Sequence, residues 1–138
     1  MAYLRTAAFA VISLGLVAGC SSKPPPAPSD AGFNALQEVH SLLHASVDRA
    51  GHPPGKVSDL ERHHNMFPNG YAAVKSGDVV VLWGAPIQDE GDIGKNETPL
   101  AYEKNVPTAG GYVLLSAGTV KKMTADEFKA AAPKGAKK

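Results

Sequence analysis

Leu36-Gln37-Glu38-Val39-His40-Ser41-Leu42-Leu43-His44-Ala45-Ser46-Val47-Asp48-Arg49-Ala50 carries apolar residues at Leu36, Val39, Leu43, Val47 and Ala50. Spacings of three and four place these on one stripe of a helix, with Gln37, Glu38, Ser41, Asp48 and Arg49 elsewhere. The pattern predicts an amphipathic helix from Asp30 to Ala50 whose stripe must face a core. Gly51 stands where a left-handed C-cap is wanted, and Pro53-Pro54 forbid continuation. Ser58 then precedes Asp59-Leu60-Glu61-Arg62, an N-cap and a single turn whose Leu60 is placed to plug the space beside the first helix.

From Tyr71 onward the period changes from helical to alternating. Tyr71 to Lys75 and Val79 to Trp83 flank Ser76-Gly77-Asp78, a turn signal, and read as a hairpin. Val79-Val80-Val81-Leu82 has no polar face, which suits a central strand covered on both sides or one whose second face meets a partner. Gly84 to Pro99 reads as a loop and Leu100 to Glu103 as a third strand. Tyr112 to Leu115 and Thr119 to Met123 form a second hairpin around Ala117-Gly118. Thr124 and Glu127 match a capping box, with Met123 and Phe128 as its hydrophobic staple. The short helix that follows puts Phe128 and Ala131 on one face and ends at Pro133. The expected fold class is therefore α+β. It consists of an N-terminal helix on an antiparallel sheet of about four to five strands and a short C-terminal helix.

Ahead of this domain, Arg5 and the apolar run Ala7 to Val17 form the charged and hydrophobic regions of a secretory signal. That run is too short for a spanning helix of about 20 residues. The signal ends in Val17-Ala18-Gly19-Cys20, which resembles the lipobox of bacterial lipoproteins. The resemblance implies cleavage before Cys20 and acylation of its thiol. Cys20 is the single cysteine of the chain, so no disulfide is available to an exported domain. In the pattern of enterobacterial sorting, Ser21 after the cysteine implies the outer membrane, facing the periplasm. Ser21-Ser22-Lys23-Pro24-Pro25-Pro26-Ala27-Pro28-Ser29 reads as an extended spacer of about 3.1 Å per residue. The organisation is thus a signal peptide over 1–19, a lipidated Cys20 and Pro-rich linker over 20–29, a domain over 30–133 and a basic tail over 134–138.

Loss of Arg5 with the signal leaves 13 basic against 13 acidic residues. That balance implies no general attraction to nucleic acid. The mature chain, about 119 residues, has room for one domain.

The order of elements carries a second resemblance. A long helix ending in Gly51-His52-Pro53-Pro54, then Val57-Ser58-Asp59-Leu60, then an antiparallel sheet, is similar to the globular part of type IV pilin-like and pseudopilin-like proteins. Leu100-Ala101-Tyr102-Glu103-Lys104 and Gly110-Gly111-Tyr112-Val113-Leu114-Leu115 resemble the C-terminal half of such proteins in planctomycete-type bacteria. Two departures stand out. Ala117-Gly118 replaces the usual Asp-Gly, and the long hydrophobic stem helix through which pilins polymerise is absent, its anchoring role passing to a lipid.

The sequence offers little chemistry. His40 and His44 are four apart on the first helix, as in a zinc protease motif, but His40-Ser41-Leu42-Leu43-His44 lacks the glutamate general base. Glu38 falls about 160° round the helix from His40. The pair reads as packed or edge histidines, with no metal and no cofactor expected. Asp89-Glu90-Gly91-Asp92-Ile93-Gly94 lacks the spacing of a calcium loop. No Gly-x-Ser-x-Gly elbow or phosphate-loop lysine pattern occurs. The expectation is a non-enzymatic, lipid-anchored envelope module. Its partner would be an envelope protein or the wall, with Trp83 and Asp89 as contact residues. The competing reading is a small metal-binding envelope protein using His40 and His44.

Overall fold

A computed structural model describes residues 30–132 of the chain. The signal segment, Cys20, the Pro-rich linker, Pro133 and the basic tail lie outside the described residues. Helix α1 runs from Asp30 to Ala45. It buries Leu36, Val39 and Leu43 of the expected stripe and Leu42 besides, whereas Val47 and Ala50 lie beyond its end and Ala50 is exposed. The helix stops five residues short of the predicted Ala50, and the cause is local. The Asp48 carboxylate accepts hydrogen bonds from the backbone N–H groups of Ala50 and His52, both at 2.8 Å. A side chain that satisfies its own backbone in this way offers the chain an alternative to another helical turn. Gly51, at φ +84°, serves this turn and not the end of α1. A 3-10 helix follows at Val57–His63, longer than the single turn expected, and Ser58 lies inside it. Leu60 is fully buried against the α1 core, as its sequence position implied.

The predicted hairpin of Tyr71–Lys75 with Val79–Trp83 does not form. Tyr71–Lys75 belongs instead to helix α2, Pro68–Ser76. Three features, two of them local, outweigh the β-propensity of Tyr71 and Val74. Pro68 occupies the first turn, where its missing N–H costs nothing. Gly77, at φ +79°, closes the C-terminus by donating its N–H to the Val74 carbonyl. At the N-terminus, the Glu38 carboxylate of α1 accepts from the backbone N–H groups of Asn69 and Gly70, both at 2.9 Å, and from the Asn69 amide at 2.7 Å. The cap comes from a residue 31 positions away in sequence, so no local motif announces it.

The Asn69 amide, opposed by desolvation and reinforced by the two backbone N–H groups, holds the Glu38 carboxyl below its ordinary value of 4.5. A depressed carboxylate pKa means that the unfolded chain binds more protons through the titration window. This stabilisation is therefore complete above about pH 4.5 and is lost as pH falls through the folded pKa. Glu38→Gln turns an amide N–H₂ toward helix donors and should cost about 2 kcal/mol at neutral pH, the scale of hydrogen bonds to a charged group. Denaturant unfolding at pH 7 and pH 4 should show the mutant losing less stability on acidification than the wild type. Parallel losses would contradict the capping role.

Strands β1 (Val79–Val81), β2 (Pro99–Glu103), β3 (Gly111–Leu115) and β4 (Val120–Met123) form an antiparallel meander in the order β1-β2-β3-β4. The fold class is α+β, as expected, but both faces of the sheet are covered. Val79, Val81, Ala101 and Leu114 join the α1 side, whereas Leu82, Tyr102, Val113, Leu115 and Met123 form a second core with Phe128. The apolar run Val79–Leu82 is thus explained by two covered faces, although β1 is an edge strand and not a central one. Leu100 and Ala101 are consecutive yet enter the same core. The register shift between Pro99 and Ala101 makes this possible, because a bulge interrupts the alternation of a strand.

The second core is closed by α3 (Val106–Ala109) and α4 (Ala125–Ala131). The capping box forms as read: Thr124 Oγ1 accepts from the Glu127 N–H at 3.2 Å, and the Glu127 carboxylate accepts from the Thr124 N–H at 2.8 Å. Tyr102 packs on Phe128 with ring centroids 4.5 Å apart and the planes tilted by 51°. Ala132, not the exposed Ala131, shares this face with Phe128.

Candidate binding groove

The segment between β1 and β2 is expected to be a loop from Gly84 to Pro99, and its acidic middle, Asp89 to Gly94, is largely exposed. Its first part is instead tied down. Trp83, Ala85 and Ile87 pack on the α1-side core at every second residue, an alternation that can be read in the sequence but is interrupted by Gly84 and Pro86. Both ends of the segment meet Ser116, the only polar residue among the buried described ones. The Gln88 N–H donates to the Ser116 carbonyl, and the Ser116 N–H donates to the Thr98 carbonyl, each at 2.8 Å. Ser116 Oγ accepts from the Thr98 N–H at 3.1 Å and donates to the Gln88 side-chain carbonyl. Nothing in the sequence around Ser116 marks it as the pin of residues 18 and 28 positions earlier.

Pinned at Gln88 and Thr98, the segment projects its middle, including a 3-10 turn at Glu90–Asp92, over the outer side of α1. An open groove of about 470 Å³ results, with His40, Ser41 and His44 on the helix wall and Asp89 and Glu90 on the loop wall. It continues past Glu90 to the exposed Ile93 and to Ala117-Gly118 of the β3–β4 turn. At the other end it reaches Val47, Pro53, Pro86 and Ile87. Its titratable groups cluster around His40, His44, Asp89 and Glu90, and its lining mixes polar and apolar groups along its length.

The two histidines differ in environment. His44 is exposed, and its Nε2 lies 3.6 Å from Asp89 Oδ1. His40 is half-buried against the β3–β4 turn, where only the missing side chain of Gly118 leaves room. A Cβ built at Gly118 would stand 2.8 Å from His40 Cε1. His40 Nε2 is buried and finds no hydrogen-bond partner among the described residues. Burial and the neighbouring His44 push the His40 pKa down, with Glu90 opposing them. The ring is therefore neutral at pH 7, with a lone pair to offer.

The structure brings together three residues singled out from the sequence, His40, His44 and Asp89, and adds Glu90. Trp83 stands apart from them, half-buried with Ala85 and Ile87 on the α1-side core. His52 pairs with Asp48 at 2.9 Å, and His64 lies on Tyr71; neither lines the groove at His40. Among the described residues, no three His, Cys, Asp or Glu side chains converge closely enough to hold a metal ion as they stand. Comparison with known protein families, curated proteins and solved structures returns no significant match to the chain. No helix among the described residues is long and apolar enough to cross a membrane.

Proposed function

We propose that the protein is a lipid-anchored lipoprotein of the cell envelope, pilin-like in its globular part. It acts as a non-enzymatic binding or assembly module at the outer membrane, facing the periplasm. Acylated Cys20 holds it to the membrane, the Pro-rich linker sets its reach, and the partner is an envelope protein or the wall. The observation that carries the reading is the open groove along α1. Its loop wall presents Asp89 with the side chain 88% exposed and Ile93 at 56% exposure, on a segment fixed at both ends. Preorganised exposed groups of this kind bind without first having to be ordered. Trp83 is half-buried on the α1-side core with Ala85 and Ile87 of the same segment, so its truncation should loosen the segment that carries the contact surface.

The test places a photocrosslinking amino acid at Asp89 in cells. The expected result is one discrete envelope adduct, formed by the lipidated chain and weakened in Trp83→Ala. Cys20→Ser should abolish fatty-acid labelling, release the chain from membranes and remove the adduct, because stable anchoring requires more than one acyl chain. A Cys20→Ser protein that stays on the membrane defeats the anchor, and a chain that crosslinks to nothing defeats the module.

A further inference from the structure

We infer that the Asn69-Gly70 pair at the start of α2 is a site of spontaneous covalent modification, the deamidation of Asn69 with water as co-reactant, which the Glu38 carboxylate of α1 holds in check while the two helices are docked. The inference is independent of the binding-module reading.

Packing demands each member of the pair. A Cβ at position 70 would stand 2.9 Å from the Glu38 carbonyl carbon, the Glu38 Cβ and the Val39 nitrogen, so only glycine fits where α2 meets α1. Asn69 is used for its amide, which donates to Glu38 Oε1 at 2.7 Å. The result is the one Asn-Gly sequence of the chain, since Asn34, Asn65, Asn96 and Asn105 precede Ala35, Met66, Glu97 and Val106. Asparagine is chemically fragile, and a following glycine leaves the attacking nitrogen unobstructed and its backbone freest to reach the side chain.

In the reaction, the Gly70 backbone nitrogen loses its proton to hydroxide and attacks the Asn69 side-chain carbonyl carbon. The new C–N bond forms, the bond from that carbon to the amide nitrogen breaks, and the amide leaves as ammonia after taking up a proton. Water then opens the cyclic imide at either carbonyl to give aspartate or isoaspartate. One water is consumed and one ammonia released, with no oxidant or reductant.

The docked helices oppose each requirement of this step. The Gly70 N–H that must be deprotonated donates to Glu38 Oε2 at 2.9 Å, and a carboxylate beside it disfavours a second negative charge. The Asn69 side chain and N–H are held by the same carboxylate at 2.7 and 2.9 Å. Ring closure also needs Asn69, which lies within α2, to rotate out of the helical ψ of about −42°. Conversion therefore proceeds from the state in which α2 has opened from α1. Its product does not return: a carboxylate now faces Glu38 where an amide donated to it, and isoaspartate also lengthens the backbone in the first turn of α2.

The experiment follows the peptide carrying Asn69 by mass spectrometry in the full lipidated chain in detergent. It is run at mildly alkaline pH and at a temperature where circular dichroism shows wild type and variants folded. Wild type should convert at least tenfold more slowly than the same chain unfolded in urea. Glu38→Gln should raise the folded-state rate at least tenfold, because loss of a hydrogen-bonded charge raises the population of the open form that reacts. Leu43→Ala weakens the core but leaves the Glu38 carboxylate in place, and should raise the rate less. Asn69→Asp should lower the urea midpoint of wild type, and lower it less in the Glu38→Gln background, where the opposing charge is gone. No conversion in urea, wild type converting as fast folded as unfolded, equal rates for wild type and Glu38→Gln, a faster rate for Leu43→Ala than for Glu38→Gln, or an Asn69→Asp penalty indifferent to Glu38 would each overturn the inference.

Discussion

Leu43→Ala should lower the stability of the domain by about 3 kcal/mol, within the range of roughly 2 to 5 found for large buried aliphatic truncations. Leu43 is 1% exposed and shares one core with Leu36, Val39, Leu60, Val81 and Leu114. Its side chain therefore stands where α1, the 3-10 helix and the sheet meet. Collapse around the cavity is opposed on each side: the 3-10 helix is held by Leu60 and the sheet by its ladder. Hydrophobic transfer and an unfilled void then add. For a domain of about 100 residues, 3 kcal/mol corresponds to a fall in Tm of roughly 15 °C. Thermal and urea unfolding of Leu43→Ala beside Ser41→Ala, on the exposed side of the same helix, provide the comparison. An unchanged midpoint for Leu43→Ala would remove α1 from the core.

Gly70→Val should cost a similar amount, about 3 kcal/mol, by the opposite mechanism. Inside a helix, replacing Gly by Ala ordinarily gains up to about 1 kcal/mol of propensity. Gly70 reverses that sign because it is the contact point of two helices. A Cβ built there would stand 2.9 Å from the Glu38 carbonyl carbon, the Glu38 Cβ and the Val39 nitrogen. Two of these atoms are α1 backbone, which cannot step aside as a side-chain tip can. Relief requires α2 to move off α1, and overpacking of this kind costs about 1 to 3 kcal/mol. The same movement pulls the Asn69 and Gly70 N–H groups away from the Glu38 carboxylate, so the cap is lost with the packing. Gly70→Ala should fall between wild type and Gly70→Val in urea unfolding. If Gly70→Ala proves more stable than wild type, propensity outweighs the close approach and the helices have room to spare.

The groove makes a connected point about α1. One side of the helix is spent on the core through Leu36, Val39, Leu42 and Leu43, and Glu38 on capping α2. His40, Ser41 and His44 lie on another side and form the helix wall of the groove. The loop that faces them is fixed at Gln88 and Thr98 by Ser116, and its contact with the histidines is a 3.6 Å pairing of Asp89 with the exposed His44. A substitution in the groove can therefore alter binding without altering the fold, which makes the two kinds of effect separable by experiment.

Several features are determined by the sequence itself. The α1 stripe, the β2 and β3–β4 segments and the Thr124–Glu127 capping box depend on neighbours within a few positions, and they form where the residues place them. Leu60 filling the space beside α1 belongs with these, since a lone leucine in a short polar turn has few other uses. The end of α1 was also written locally, in the Asp48 carboxylate, but it competed with a continuing apolar spacing at Val47 and Ala50 that pointed the other way. Tertiary structure alone decided the state of Tyr71–Lys75, because the cap that starts α2 is Glu38, on another helix, and the close approach at Gly70 exists only once both helices are packed. It also decided that β1 is an edge strand with two covered faces, since an apolar run records burial and not position in a sheet. The groove is the same case: His40 and His44 declare their shared face through helical spacing, whereas Asp89 and Glu90 reach that face only through the pin at Ser116, a contact between residues far apart in the chain that no periodicity encodes.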